Sequence, residues 1–133
     1  MKKYLLLSLF AVSTLALAQS TPMTREEYHA ARARITADGA AEEARCAASL
    51  RGNAKDVCEE EAEGREKIAL AELEQRYQPS PRNARQVAMA KIDAQFEVAK
   101  EKCDALTGAA ETACEKEAKA QRARAKAQLT AAK

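Results

Sequence analysis

"CAASLRGNAKDVCEEEA" occupies residues 46–62, and "CDALTGAAETACEKEA" returns at residues 103–118. Each stretch holds two cysteines around a glycine. Cys46 and Cys58 lie six residues either side of Gly52, while Cys103 lies five before Gly108 and Cys114 six after it. Residues equidistant from the bend of an antiparallel helical hairpin face each other, so this spacing predicts two hairpins, each able to close a disulfide beside its turn. Gly52 and Gly108 are the expected turn residues, at helix C-caps that favour a positive φ. Three connectivities are open to four cysteines. Symmetry favours Cys46 with Cys58 and Cys103 with Cys114. The runner-up links the copies, Cys46 to Cys114 and Cys58 to Cys103, and the interrupting glycines argue against it.

Outward from the cysteines, a shift of 57 residues pairs "AARARITADGAAEEARC" (30–46) with "VAMAKIDAQFEVAKEKC" (87–103), matching Ala31, Ala33, Ile35 and Ala37 to Ala88, Ala90, Ile92 and Ala94. Beyond the first cysteine the shift becomes 56 and pairs Cys58 with Cys114, Glu61 with Glu117, Ala62 with Ala118, and Leu73 with Leu129. The chain is a tandem duplication, and its first copy carries one extra residue between its first cysteine and its glycine.

Within the second copy, Met89, Ile92, Phe96, Ala99, Cys103 and Leu106 recur at alternating steps of three and four, the seam of one helix packed on another. Thr24 with Glu27 forms a capping-box pattern, Ser80 with Pro81 supplies an N-cap and first-turn proline, and Asn53 is placed as the N-cap of a helix starting at Ala54. The two prolines of "YQPSPR" break any continuous helix. The expectation is an all-α protein with helices near 24–51, 54–77, 81–107 and 109–131. They form a first hairpin repeat over 19–77, a linker over 78–81 and a second repeat over 82–133, arranged either as a four-helix bundle or as two elongated arms. Gly39, standing where the second copy has Phe96, removes a seam residue and is expected to weaken the first hairpin. Few aromatics and much alanine leave little to bury, so a staple worth about 3 kcal/mol per closed loop is a large share of the stability.

The chain opens "MKKYLLLSLFAVSTLALAQS", with Lys2 and Lys3 ahead of an apolar run and small residues at Ala16 and Ala18. This pattern predicts a secretory signal peptide over 1–18, cleaved after Ala18, and a periplasmic location in which the cysteines oxidise. No later segment is apolar for the ~20 residues a spanning helix needs. Lys and Arg total 22 against 20 Asp and Glu, and Lys2 and Lys3 account for that excess. The neutral remainder lacks the basic footprint of a nucleic-acid binder. Charge is nonetheless uneven: Glu42, Glu43, Asp56, Glu59, Glu60, Glu61 and Glu63 gather in 42–63, while 119–133 holds only cations. Of these, Lys119, Arg122, Arg124 and Lys126 are candidates for contact with an anionic surface.

Motifs for chemistry are sparse. Cysteines separated by ten or eleven residues do not match zinc knuckles, no Cys-x-x-Cys supplies a redox pair, and His29, the single histidine, stands in no Cys/His or Ser/His/Asp motif and is expected at the surface beside Tyr28. Glu61 with Arg65 and Glu63 with Lys67 stand at i,i+4 spacing and predict a solvated helix face. No catalytic residue, metal ligand or cofactor site is expected.

The stretches "LRGNAKDVCEEEA" and "KEKCDALTGAAETACEKEAKA" resemble the repeated Cys-Asp-Ala-Leu-x-Gly-Asn-Ala-Lys-Asp-Val-Cys-x-x-Glu-Ala-Lys signature of a family of small exported proteobacterial proteins. The resemblance implies export and a paired-cysteine helical frame, and brings no activity with it. The functional expectation is a non-catalytic structural or interaction protein of the cell envelope with a protein partner there. The alternative is a periplasmic stress chaperone or anionic-surface binder.

Overall fold

The computed structural model describes residues 22–131, so the leader expected over 1–18 and its cleavage behind Ala18 lie outside the described residues. Four helices follow: α1 (Arg25–Ser49), α2 (Asn53–Tyr77), α3 (Pro81–Cys103) and α4 (Ala109–Ala131). The start signals act as the sequence predicts. Glu27 N–H donates to Thr24 Oγ1 at 3.1 Å while Thr24 N–H donates to the Glu27 carboxylate at 2.8 Å, closing a capping box ahead of α1. Asn83 N–H donates to Ser80 Oγ at 3.0 Å ahead of α3. Pro81 is already helical, so the linker shrinks to residues 78–80.

The turns differ from the expectation. α1 stops at Ser49 and α3 at Cys103, and Gly52 (φ 60°) and Gly108 (φ 64°) stand immediately before α2 and α4 rather than capping α1 and α3. A Cβ at either glycine would meet nothing within 4 Å, so the residue type answers to the left-handed backbone and not to crowding. Asn53 is the first helical residue, not the N-cap. Its amide instead donates to the carbonyl of Glu101 at 2.5 Å, one of the last four carbonyls of α3 that have no partner within that helix. Leu106, expected on the seam, is 41% exposed in the loop after α3. The second copy is one residue shorter here, and one residue is 100° of helix. Ending α3 at Cys103 absorbs the deficit in the turn and keeps Cys114 facing its partner.

Both disulfides form within hairpins, Cys46 to Cys58 with Cα atoms 5.7 Å apart and Cys103 to Cys114 at 5.5 Å. Because the helices run up, down, up, down, both bridges lie at one end of the molecule. The opposite end of the first hairpin is closed by Tyr28, which stacks on Tyr77 with ring centroids 4.4 Å apart and donates its hydroxyl to Glu74 at 2.7 Å. The hairpins do not remain separate arms. α2 packs along α3 as closely as any pair in the molecule, and each helix touches only its chain neighbours: among the described residues no Cα of α1 comes within 8 Å of α3 or α4, nor of α2 with α4. The bundle is therefore opened into a row.

Little is buried in that row. Among the described residues the buried apolar positions are Cys46, Ala62, Leu73, Cys103 and Ala118, so two of these five are halves of staples. Small residues set the spacing elsewhere. A Cβ on Gly64 would lie 2.9 Å from Ala94 Cβ, which makes this glycine a point of close approach between α2 and α3. Gly39 is buried rather than merely vacant, because the Glu66 side chain of α2 lies across it, and an added Cβ would press on that carboxylate and sit 3.1 Å from Glu66 Cβ. The gap left by the absent seam residue is thus filled from the facing helix.

Cleavage of the chain between Gln78 and Ser80 should leave two halves that co-elute under native conditions through the α2–α3 contact and separate on denaturing electrophoresis without reductant. Halves that stay linked until reduced would contradict the pairing. The two helical glycines should answer differently to alanine. Gly64→Ala should lower stability by about 1–3 kcal/mol, because overpacking forces α2 and α3 apart and outweighs the ~1 kcal/mol of helix propensity it gains. Gly39→Ala should be near neutral, since the Glu66 carboxylate can swing away. Thermal melts of the two variants provide the comparison.

Candidate functional site

The residues singled out in the sequence fall into three regions. The first is the disulfide end, where Cys46 and Cys103 are buried, Cys58 and Cys114 are half-buried, and no free cysteine remains to bind a metal or turn over as a thiol. The turns of Gly52 and Gly108 lie beside them. Arg51 folds back over the end of α1 and donates to the carbonyl of Ala47 at 2.8 Å, a basic side chain serving carbonyls the helix leaves unpaired.

The second region is acidic. Glu43 of α1 and Glu59, Glu60, Glu63 and Glu66 of α2 line an open groove with Lys67 and Leu70. Burial pushes the Glu60 carboxyl up, and the charges of Glu63, Glu101 and Glu97 push the same way against Lys67. Of the two i,i+4 pairs expected on this helix, Glu63 with Lys67 forms at 2.6 Å. The other does not: Glu61 reaches across to Lys102 of α3 at 3.4 Å, and Arg65 to Glu42 of α1 at 2.6 Å. Both partners lie on neighbouring helices, which compete with the local pairing once the row assembles. A smaller carboxylate group, Asp104, Glu111 and Glu115, brings ligand oxygens within 4.8 Å of one another at the surface, but Glu115 is held by Lys119, which draws its carboxyl below the ordinary range.

The third region holds the four candidate cations, and the fold does not gather them into one patch. Arg122 and Lys126 both turn onto Asp93 of α3, at 2.7 and 2.9 Å, and Arg122 also lies 4.4 Å over the Phe96 ring. Lys119 pairs with Glu115 at 2.6 Å and Arg124 with Glu117 at 2.8 Å. Two residues along a helix are 200° apart, so Arg124 points away from Arg122. Burial opposes ionisation of Asp93, yet the hydrogen bonds from Lys126 and Arg122 outweigh it and hold that carboxyl below the usual range. His29 stands exposed, accepting from Arg25 Nε at 3.3 Å and lying edge-on to Tyr28.

Two positions that organise the molecule are missed by the sequence reading. Gly64 interrupts "EEEAEGREK", a run otherwise made of strong helix formers, and such an isolated glycine is the signal of a close approach. The bond from Asn53 to Glu101 has no sequence signal, because its partner lies 48 residues away. No helix of the described residues is long and apolar enough to cross a membrane. Compared with family models, curated proteins and solved structures, the chain finds no match.

The two perturbed carboxylates predict opposite pH effects. The raised Glu60 disfavours its charged form in the folded state, so Glu60→Gln should raise the melting temperature at neutral pH, with the gain fading as pH falls and Glu60 takes up its proton. The lowered Asp93 stabilises the fold above its unfolded pKa. Asp93→Asn should therefore lower the melting temperature at neutral pH, and the difference from the parent should vanish as pH falls through the folded pKa of Asp93. Melting curves of both variants against pH test the signs.

Proposed function

We propose that this chain is a non-catalytic structural or interaction protein of the cell envelope, exported to the periplasm after cleavage behind Ala18, that presents helical faces to protein partners. The observation that carries the reading is the open row: among the described residues α1 and α4 each touch a single neighbouring helix, so two faces some 35 Å long, at ~1.5 Å per residue, are left without a helix packed on them. Closed disulfides suit an oxidising compartment, and the likeness of the cysteine frame to small exported proteobacterial proteins fits the same reading. Contact with an anionic surface draws less support, because Lys119, Arg122, Arg124 and Lys126 all have carboxylate partners.

A photo-activatable residue placed in living cells on the outer face of α1 or α4 tests this reading, with the α2–α3 face at Gln95 as control. The expected result is a discrete protein adduct from the outer faces and not from the control, on protein whose first residue is Gln19. No adduct of any kind, or a first residue at Met1, would count against it.

A further inference from the structure

The duplication supplies a template for what covers the outer helices. α2 belongs to the first copy and α3 to the second, so their contact is an interface between repeats. It is centred on Gly64 against Ala94. Seven-residue steps from that point carry the same faces through Val57 and Ala71 on α2, and through Val87 and Glu101 on α3. The repeat shifts of 56 and 57 residues map these positions onto Ala113, Ala120 and Ala127 of α4, and onto Ala30, Ala37 and Ala44 of α1. All six are alanine, five are exposed and Ala120 is half-exposed. On α1 they lie opposite the side that buries Gly39 and Cys46 against α2. The molecule thus carries on its two outer helices the repeat equivalents of both sides of its own inter-repeat contact.

From this correspondence we infer that a second copy of the chain docks on these faces head to tail, α4 of one molecule against α1 of the next, continuing the row. The inference rests on the reading of these faces as partner surfaces. Charge complementarity supports the choice of occupant. The pair of Glu61 with Lys102 that flanks the α2–α3 contact becomes Glu117 with Arg45 of the next molecule. Ile68 and Gln95, which share the lining of the groove over that contact, become Arg124 and Asp38, so the Glu117–Arg124 pair within α4 is exchanged for two ion pairs across the contact. The pair of Glu72 with Lys91 becomes Gln128 with Arg34. None of these positions opposes like charges. Ala120 replaces Gly64, and a Cβ there would crowd the facing alanine at the α2–α3 spacing, so the intermolecular contact sits wider and is weaker than the internal one. A head-to-tail contact of this kind does not close on itself after two subunits, and each added molecule presents a fresh face.

Sedimentation equilibrium of the purified, oxidised protein across micromolar to millimolar concentrations tests the inference, with circular dichroism confirming that each variant stays helical. The parent should show a mass that climbs past the dimer with concentration. Ala37→Glu and Ala120→Glu, each blocking one side, should each weaken association about tenfold or more by burying an unpaired charge. An equimolar mixture of the two should recover a dimer and stop there, because one free α4 face meets one free α1 face. A parent that stays monomeric throughout, or a single variant that still dimerises as a face-to-itself contact would, overturns the inference. A monomeric parent alongside specific photo-adducts to other proteins in cells would sink this inference while leaving the proposed function standing.

Discussion

Two covalent links at one end of the molecule hold in place helices that have little else to hold them. Alanine contributes little area on burial, at ~25 cal/mol per Å², and the surface ion pairs between helices add roughly 0–1 kcal/mol each. Each disulfide, closing a loop of about a dozen residues, constrains the unfolded chain by about 3 kcal/mol. The bridges also set register. With Cys46 opposite Cys58, Glu66 falls across Gly39, Arg65 meets Glu42, and Tyr28 reaches Tyr77 at the far end. With Cys103 opposite Cys114, Asp93 falls between Arg122 and Lys126. Staple and distal closure fix two points along the first pair, and the Arg85 guanidinium, donating to the Leu129 carbonyl at 3.3 Å, does the same for the second; the small side chains between need only be thin enough to allow contact.

Thinness is what joins the hairpins. Gly64 against Ala94 brings the α2 and α3 backbones closer than any larger pair would permit, and the Asn53 amide on the Glu101 carbonyl ties the disulfide end of one hairpin to that of the other. The approach of α3 also brings Glu97 and Glu101 near Glu60, whose carboxyl is already pushed up by burial and the Glu63 charge, while Lys67 acts the other way. The disulfides secure each hairpin, while among the described residues no helix covers the alanine faces of α1 and α4.

Much of this was legible in the residues because it is local. Helix starts at Thr24 and Ser80 are written in side chains three residues from the backbone groups they cap. The pairing of cysteines follows from equal distance to a bend, and the positive φ of Gly52 and Gly108 from a chain reversal that other residues adopt at a cost. What depended on distant partners was not legible. Asn53 read as an N-cap until α3 offered a carbonyl, and Arg65 read as the partner of Glu61 until α1 brought Glu42 nearer. Gly39 read as a loss until Glu66 was seen lying over it. Lys119, Arg122, Arg124 and Lys126 formed a run in sequence but point to different sides of α4, two of them sharing one aspartate. By itself the sequence determined the four helices and favoured the pairing of their cysteines, since these answer to spacing along the chain. Whether the hairpins would stand apart as arms or join along their length was decided only in three dimensions, by how near a glycine lets two backbones come.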